Sequence, residues 1–189
     1  VTTPIAPGYR DAALCVCAQM TQPVAVRASV LDRDGALVGA GEIENGQVRI
    51  ELPGAHLWNA EDPYLYTLRL ETPQETIEKR VGVREVRICD RMLLLNGQKI
   101  KLRGTNHHDS SPVHGYAMTR EEILTDLRLM KAHNFNAIRT SHYPPQARMI
   151  ELCDELGFYV IDESDVECHG IMSVYGSSQP QRYNIIADD

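Results

Sequence analysis

The chain has 189 residues and a formal charge of −7, with 43% hydrophobic and 24% charged residues. This composition is typical of a folded globular protein and excludes an intrinsically disordered chain. The acidic balance argues against nucleic-acid binding and against docking on an anionic membrane, because both require clustered basic residues. No run of about 18 apolar residues is present, so no transmembrane helix is expected.

The cysteines indicate the compartment. Five cysteines lie at irregular spacings without a Cys-x-x-Cys pair, which predicts neither a complete disulfide framework nor a cysteine zinc site. A reducing environment fits this pattern, and we expect the protein to be cytoplasmic. The chain begins with Val1 rather than Met. This start is compatible with a position inside a longer polypeptide, in which a signal peptide would not be visible here.

Residues 1–88 have the pattern of an antiparallel β-sandwich. Turn pairs such as Asp34-Gly35 and Asn45-Gly46 separate short strands, and glycine after Asp or Asn suits the positive φ angles of hairpin turns. Six strands in this length favour a sandwich over an α/β sheet. Trp58 is expected to pack in a core or interface rather than to bind sugar. The predicted strands are Leu14–Ala18, Val24–Leu31, Ala36–Glu42, Gln47–Leu52, Tyr64–Glu71 and Thr76–Val83.

After Cys89 the pattern changes to alternating strands and helices. Thr119 and Glu122 form a capping box at the start of the first predicted helix, and Gly157 follows the end of the second. The order strand–helix–strand–helix–strand predicts a parallel, right-handed α/β array. The last strand is apolar throughout, which predicts burial on both faces. The predicted elements are a hairpin (Met92–Leu95 and Lys99–Leu102), a strand ending near Thr105, a helix to about His133, a strand at Phe135–Thr140, a helix at Pro144–Leu156 and a strand at Phe158–Ile161.

Polar side chains follow each of the three predicted parallel strands. In a (β/α)₈ barrel the active site lies at the carboxyl ends of the strands, so these residues are expected to share one rim. The alternative is that each histidine is a surface residue or a hydrogen-bonded core residue. The rim candidates are Asn106, His107, His108 and Asp109 after the first strand, Ser141, His142 and Tyr143 after the second, and Asp162, Glu163, Glu167 and His169 after the third.

Several of these segments together resemble glycoside hydrolase family 2. The segments from Asn136 to Pro144 (Asn-Ala-Ile-Arg-Thr-Ser-His-Tyr-Pro) and from Cys153 to Glu163 are similar to the family signature. The segment from Arg103 to His108 resembles the start of the family's TIM barrel. The stretches Leu57–Tyr66 and Arg80–Arg84 resemble the end of its immunoglobulin-like sandwich. The resemblance therefore implies an immunoglobulin-like β-sandwich (residues 1–88) followed by the first part of a catalytic TIM barrel (residues 89–189).

The resemblance also implies roles for individual residues. His108 and His142 match the histidines that stabilise the transition state and contact the sugar hydroxyls. Arg139 and Asn106 are implied as supporting residues. Arg139 either orients a carboxylate or forms a structural ion pair at the rim.

The segment from Asp162 to Gly170 is similar to the magnesium-dependent bacterial β-galactosidases within the family. Glu167 and His169 match the positions that bind Mg²⁺ there. Residues two apart on an extended backbone point the same way, so both side chains can reach one ion. Mg²⁺ prefers oxygen ligands and keeps several waters.

The chain does not contain the full catalytic apparatus that the resemblance implies. A retaining glycosidase needs two carboxyl groups about 5–5.5 Å apart, and the family's Asn-Glu acid/base pair does not follow His169. A complete barrel takes roughly 200–250 residues, more than follow Cys89. We therefore expect an internal fragment with an incomplete barrel, inactive alone, from a parent that hydrolyses terminal β-D-galactosides with retention.

Other functions stay open. A β-glucuronidase or β-mannosidase of the same family is one alternative, against which the Glu167-x-His169 pattern argues. A second is a non-catalytic carbohydrate-binding or interaction module. A third is an independent metallohydrolase using His107, His108, His142 and His169, but the adjacent His107 and His108 would point apart on an extended backbone and no His-Glu-x-x-His spacing is present. The expected partner is a β-galactoside, and the parent could be a homo-oligomer.

Overall fold

The first half of the protein is built from six antiparallel strands. The computed structural model describes residues 1–165. All six predicted strands are present; three are two or three residues shorter at one end than predicted, and β1 begins two residues earlier. They are β1 (Ala12–Cys17), β2 (Arg27–Leu31), β3 (Leu37–Glu42), β4 (Gln47–Leu52), β5 (Tyr66–Glu71) and β6 (Thr76–Val81).

These strands form two layers around one apolar core. One sheet has the order β3-β2-β5-β6, and β1 pairs with β4 in the other. Every pairing is antiparallel. Because side chains alternate between the faces of a strand, Leu14 and Ile50 of one layer meet Val30 and Leu68 of the other, and all four are buried. This two-layer arrangement agrees with the predicted sandwich.

A small antiparallel sheet follows, with the order β7-β8-β9. Its strands are β7 (Val86–Cys89), β8 (Met92–Leu95) and β9 (Gln98–Lys99). Asn96 and Gly97 join β8 to β9 with φ angles of 49° and 74°. The predicted hairpin is therefore present, but its second strand ends at Lys99 rather than at Leu102. The predicted domain boundary, between residues 88 and 89, falls inside β7 and stays a prediction.

The second half contains three parallel strands with helices between them, as predicted. The sheet order is β10-β11-β12, and both pairings are parallel. Leu127 and Met149 from the two helices pack with Ile138 of the central strand, and all three are buried. The elements are β10 (Gly104–His107), α1 (Arg120–Ala132), β11 (Ala137–Thr140), α2 (Ala147–Leu156) and β12 (Tyr159–Ile161).

The prediction that the last strand is buried on both faces is wrong. Ile161 is 50% exposed, and the three residues of β12 are partly buried or exposed. The reason is that α1 and α2 cover one face of this sheet, while β12 is its terminal strand within residues 1–165. An apolar sequence therefore stands here at a sheet edge.

Trp58 joins the first half of the protein to α2. Its side chain is 1% exposed, and its indole Nε1 donates a hydrogen bond of 2.8 Å to the backbone oxygen of Asp154. The guanidinium of Arg84 lies 4.7 Å from the indole ring and forms an ion pair of 3.0 Å with Asp154. The predicted packing role of Trp58 is confirmed.

Gly157 makes a close approach possible at the same junction. It ends α2 in the left-handed conformation with φ of 78°, as the sequence predicts for a helix-terminating glycine. A Cβ atom built there would lie 2.3 Å from the backbone oxygen of Ala60. Any side chain would therefore separate α2 from the loop that carries Trp58. Within residues 1–165, neither helix has both the length and the apolarity that a membrane span needs.

The capping box of α1 gives a test of local stability. The Thr119 hydroxyl accepts a hydrogen bond from the Glu122 backbone N–H, and the Glu122 side chain accepts one from the Thr119 N–H. We expect Thr119→Ala to lower the free energy of unfolding by about 1 kcal/mol, because a helix-terminal donor loses its acceptor. Urea denaturation measures this change.

A matched control lies one turn further along α1. Thr125 is exposed and its hydroxyl donates to the Glu121 backbone oxygen. Thr125→Ala is expected to change stability by less than about 0.5 kcal/mol, since alanine has the higher helix propensity. Equal losses in the two variants would contradict the capping role of Thr119.

Candidate active site

The carboxyl ends of β10, β11 and β12 lie side by side at one edge of the parallel sheet. Asn106 is the register partner of Arg139, and Arg139 is the partner of Ile161. These side chains share the face opposite the helices because alternate residues point to opposite faces. Together they line an open depression of about 290 Å³. The structure therefore brings Asn106 and Arg139 together, as the sequence predicts.

Arg139 contacts groups from all three strand ends. Its Nη1 donates to Oδ1 of Asn106 at 3.3 Å, and its Nη2 lies 2.5 Å from Oε2 of Glu163. The same Nη2 donates to Nδ1 of His142 at 3.3 Å. An arginine guanidinium has five donors in a fixed plane, so one side chain can hold several acceptors in place. Arg139 thus forms an ion pair with Glu163 at the rim.

The contact with Arg139 determines the orientation of the His142 imidazole. Nδ1 of His142 faces two charged groups, because Oε1 of Glu163 also lies 3.5 Å from it. The Ser141–His142 peptide bond is cis. The other ring nitrogen, Nε2, therefore lies on the side of the imidazole away from Arg139.

His108 lies against His142 at the rim. Their ring centroids are 5.4 Å apart with an angle of 72° between the planes, an edge-to-face arrangement. His108 is exposed. The two histidines named by the sequence analysis thus lie together, one from the end of β10 and one from the end of β11.

Thr140 fixes the segment that carries Glu163. The Thr140 side chain is buried, its hydroxyl donates to Oδ1 of Asp162 at 3.3 Å, and it accepts the Glu163 backbone N–H at 3.0 Å. Glu163 is one of the predicted rim residues, but its sequence context predicts no role for it. The ion pair between Glu163 and Arg139 depends on the register of β11 and β12, and no short sequence motif encodes that register.

His107 points away from the rim, into the layer of helices. Its side chain is 7% exposed and its Nε2 lies 3.0 Å from Oδ2 of Asp126 on α1. The expectation that His107 and His108 point apart is confirmed. His107 is therefore a buried hydrogen-bonded residue, which is the alternative considered for each histidine.

Tyr143 continues the row of rings beyond His108. The two ring centroids are 6.0 Å apart. Burial, followed by the nearby charge of Asp109, raises the pKa of the Tyr143 phenol above its ordinary value. The phenol is therefore neutral at physiological pH, and its ring forms part of the wall beside the two histidines.

A short loop after β10 is held firmly to the start of α1. The Ser111 hydroxyl donates to Oε1 of Glu122 at 2.5 Å and accepts the backbone N–H groups of Val113 and His114. These contacts, led by the Ser111 hydrogen bond and followed by the Thr119 backbone bond, lower the pKa of Glu122 to about 2. The capping box is readable from the sequence, but the contact with Ser111 is not.

The predicted metal ligands Glu167 and His169 lie outside the described residues. Within residues 1–165 no group of three or more His, Cys, Asp or Glu side chains is placed to hold a metal ion. His107 and His108 also point in different directions, so the described part of the chain does not support an independent metallohydrolase centre.

Comparison with known proteins agrees with this arrangement. The family model described as "Glycosyl hydrolases family 2, TIM barrel domain" matches residues 86–189, and the model described as "Glycosyl hydrolases family 2" matches residues 16–84. The chain belongs to glycosyl hydrolases family 2. This assignment confirms the resemblance, and the TIM barrel match covers all three strand ends of the rim.

Two family 2 relatives are similar over most of this chain. A β-galactosidase of Staphylococcus xylosus is 50% identical over 141 residues, which cover 75% of this chain and 14% of the relative. A β-galactosidase of Actinobacillus pleuropneumoniae is 49% identical over 149 residues, covering 79% and 15%. The chain therefore spans about one seventh of the length of these curated relatives.

Solved structures with a similar fold include β-glucuronidases. The enzyme of Ruminococcus gnavus in complex with N1-substituted uronic isofagomine superposes with a TM-score of 0.79 at 27% identity, covering 86% of this chain and 29% of that structure. The Lactobacillus rhamnosus β-glucuronidase gives a TM-score of 0.79 at 31% identity, covering 86% and 28%.

The low pKa of Glu122 predicts how acid affects stability. The Glu122 pKa falls from an ordinary 4.5 to about 2 in the folded protein. Its carboxylate therefore stabilises the fold fully above about pH 4.5, and this contribution is lost as the pH falls towards 2. We expect Glu122→Gln to reduce the loss of stability between about pH 5 and pH 2.5, measured as the urea midpoint.

Glu121→Gln is the matched control, because Glu121 is an exposed carboxyl of the same helical turn. This variant is expected to keep the acid dependence of the wild type. If Glu122→Gln and the wild type lose stability in parallel as the pH falls, the role of Glu122 in holding the loop is wrong.

Proposed function

We propose that this chain supplies part of the active-site rim of a retaining β-galactosidase. The observation that carries the proposal is the pair of rings, His108 and His142, which lie 5.4 Å apart at the carboxyl ends of neighbouring parallel strands. Active sites of TIM barrels are built at that face. The 49–50% identity to β-galactosidases supports galactose as the sugar.

In this proposal His108 and His142 bind hydroxyl groups of the terminal galactose. Cleavage of a glycosidic bond passes through an oxocarbenium-like state, and hydrogen bonds to ring hydroxyls that tighten in that state lower the barrier. Nε2 of His142 is the ring nitrogen that meets the sugar in this proposal, because Arg139 and Glu163 lie beside Nδ1. Arg139 and Asn106 act by positioning, since they hold the imidazole and the Glu163 carboxylate in place.

The two catalytic carboxyl groups are proposed to lie outside this chain. Glu163 is engaged by Arg139 at 2.5 Å, and the buried Asp109 accepts the Gln146 backbone N–H at 3.1 Å. Both carboxylates thus have structural partners. In this proposal the two-layer sandwich has the immunoglobulin-like topology and the three parallel strands are the first of an incomplete barrel. The isolated chain is therefore expected to be inactive.

Glu167 and His169 are proposed to bind Mg²⁺ in the complete enzyme. One carboxylate and one imidazole are a modest set of protein ligands for an ion that prefers oxygen and keeps several waters. A bound divalent cation would supply positive charge beside the site and help to fix the acidic groups around it.

One assay distinguishes the sugars. We expect the full-length polypeptide that carries this chain to hydrolyse a chromogenic β-galactoside in preference to the corresponding β-glucuronide and β-mannoside. The β-glucuronidase neighbours make the glucuronide the main competitor. Preferential turnover of the glucuronide or the mannoside would contradict galactose specificity and retain the family assignment.

Site-directed variants test the role of the rim in the same assay. His142→Ala is expected to lower kcat/KM about 100-fold, because a donor that tightens in the transition state is lost. His56→Ala is the matched control, since His56 lies on the first half of the protein and pairs with Asp62. Equal activity of both variants would contradict the role of His142.

Titration of the isolated chain tests the remaining alternative. We expect no turnover and no measurable galactose binding, because a sugar site needs groups from the whole rim. Binding at millimolar or lower concentration without turnover would favour a carbohydrate-binding module instead.

Metal removal tests the role of Glu167 and His169. Chelation of divalent cations is expected to lower galactosidase activity, and Mg²⁺ should restore it. Glu167→Ala should raise the Mg²⁺ concentration needed for half-maximal activity at least 10-fold, because a carboxylate ligand is lost. Glu121→Ala serves as the control. Activity that is indifferent to chelation would remove Mg²⁺ from the proposal.

A further inference from the structure

The loop between β10 and α1 presents two large apolar side chains to solvent at the rim. Val113 is 78% exposed and Tyr116 is 74% exposed. β10 ends at His107, so this loop begins with His108 and leaves the sheet at the edge that carries the proposed sugar site. Exposed apolar groups clustered beside a polar site are typical of ligand-binding surfaces.

Hydrogen bonds hold this loop in one conformation. Ser111 and Gly115 exchange two backbone hydrogen bonds of 2.8 and 3.0 Å. The Ser111 hydroxyl is tied to Glu122, and the Gln146 side chain donates to the Tyr116 backbone oxygen at 3.1 Å. The loop is therefore anchored to both α1 and the segment before α2. The exposure of Tyr116 is a feature of an ordered surface.

A row of rings connects Tyr116 with the histidines. The Tyr116 ring meets the Tyr143 ring edge to face, with centroids 6.1 Å apart. Tyr143 lies 6.0 Å from His108, and His108 lies 5.4 Å from His142. Tyr116 thus lies two ring-to-ring steps from His108, at the end of a continuous row of side-chain rings.

We infer that Tyr116, on the same loop as the exposed Val113, forms a platform for the leaving group of the glycoside, and that its ligand is a ring-shaped leaving group, either a second sugar or an aryl group. This inference rests on the proposed function. A tyrosine ring offers a rigid apolar face with few rotatable bonds, and its hydroxyl can stay in water. A small leaving group such as methyl would not reach the platform.

The platform binds the leaving group without taking part in the bond cleavage. It therefore contributes to binding of the ground state and of the transition state alike, which changes KM more than kcat. This behaviour differs from that of His142, whose loss is expected to lower kcat/KM for every glycoside.

Inhibition constants in the full-length polypeptide test the inference. Two non-hydrolysable thioglycosides, phenyl and methyl, are compared on whichever sugar the wild type hydrolyses best. Tyr116→Ala is expected to weaken the phenyl compound about 3- to 10-fold, the range of an aromatic contact. Binding of the methyl compound should change less than 2-fold. Tyr116→Phe should bind the phenyl compound within 2-fold of the wild type.

Leu129→Ala is the matched control, because Leu129 is 59% exposed in the last turn of α1. It should leave both inhibition constants unchanged. Equal changes for the phenyl and methyl compounds in Tyr116→Ala, or no change in either, would overturn the inference while leaving the proposed function intact. A wild type that hydrolyses none of the three chromogenic glycosides would overturn the proposed function and the inference together.

Discussion

The contacts of Arg139 are the interaction on which the rim depends. From the central strand β11, its guanidinium holds Asn106 at the end of β10, Glu163 after β12 and the His142 imidazole. Parallel strands bring their carboxyl ends to one edge of a sheet, but they do not by themselves orient the side chains found there. The planar, always charged guanidinium supplies that orientation, because its donors lie in fixed directions. A lysine would offer a single flexible point of contact.

The position of the rim depends in turn on how α2 is held. Trp58 is buried against α2 and donates to its Asp154 carbonyl, while Gly157 lets the loop before β12 approach Ala60 closely. Lys131 at the end of α1 adds hydrogen bonds to the backbone oxygens of Ala60 and Gly157. Because both helices are fastened to the first half of the protein, the three-stranded sheet on which they pack is held in place as well. The sandwich thus supports the site without contributing a rim residue.

The rim combines an ordered polar centre with an apolar border. The polar centre is Glu163 with two contacts to its carboxylate, one from Arg139 and one from His142. Towards α1 the side chains become aromatic, through Tyr143 to Tyr116. In the proposed function, the polar groups bind the hydroxyls of the sugar and the aromatic groups contact the leaving group. Ligand sites commonly combine apolar walls with a few polar groups in this way. One loop, fixed by Ser111 and Glu122, joins the two regions.

The sequence by itself determined the elements and the family. Local patterns suffice for the capping box at Thr119, the turn at Asn96-Gly97 and the helix end at Gly157, because those features depend on neighbouring residues. The motif around His142 indicated the family, and strand order placed His108 and His142 at one rim. Only the tertiary structure decided that His107 faces Asp126, that Arg139 forms an ion pair with Glu163 and that β12 is partly exposed. These outcomes depend on register between strands and on what covers each face, and both are set by contacts between residues far apart in the chain.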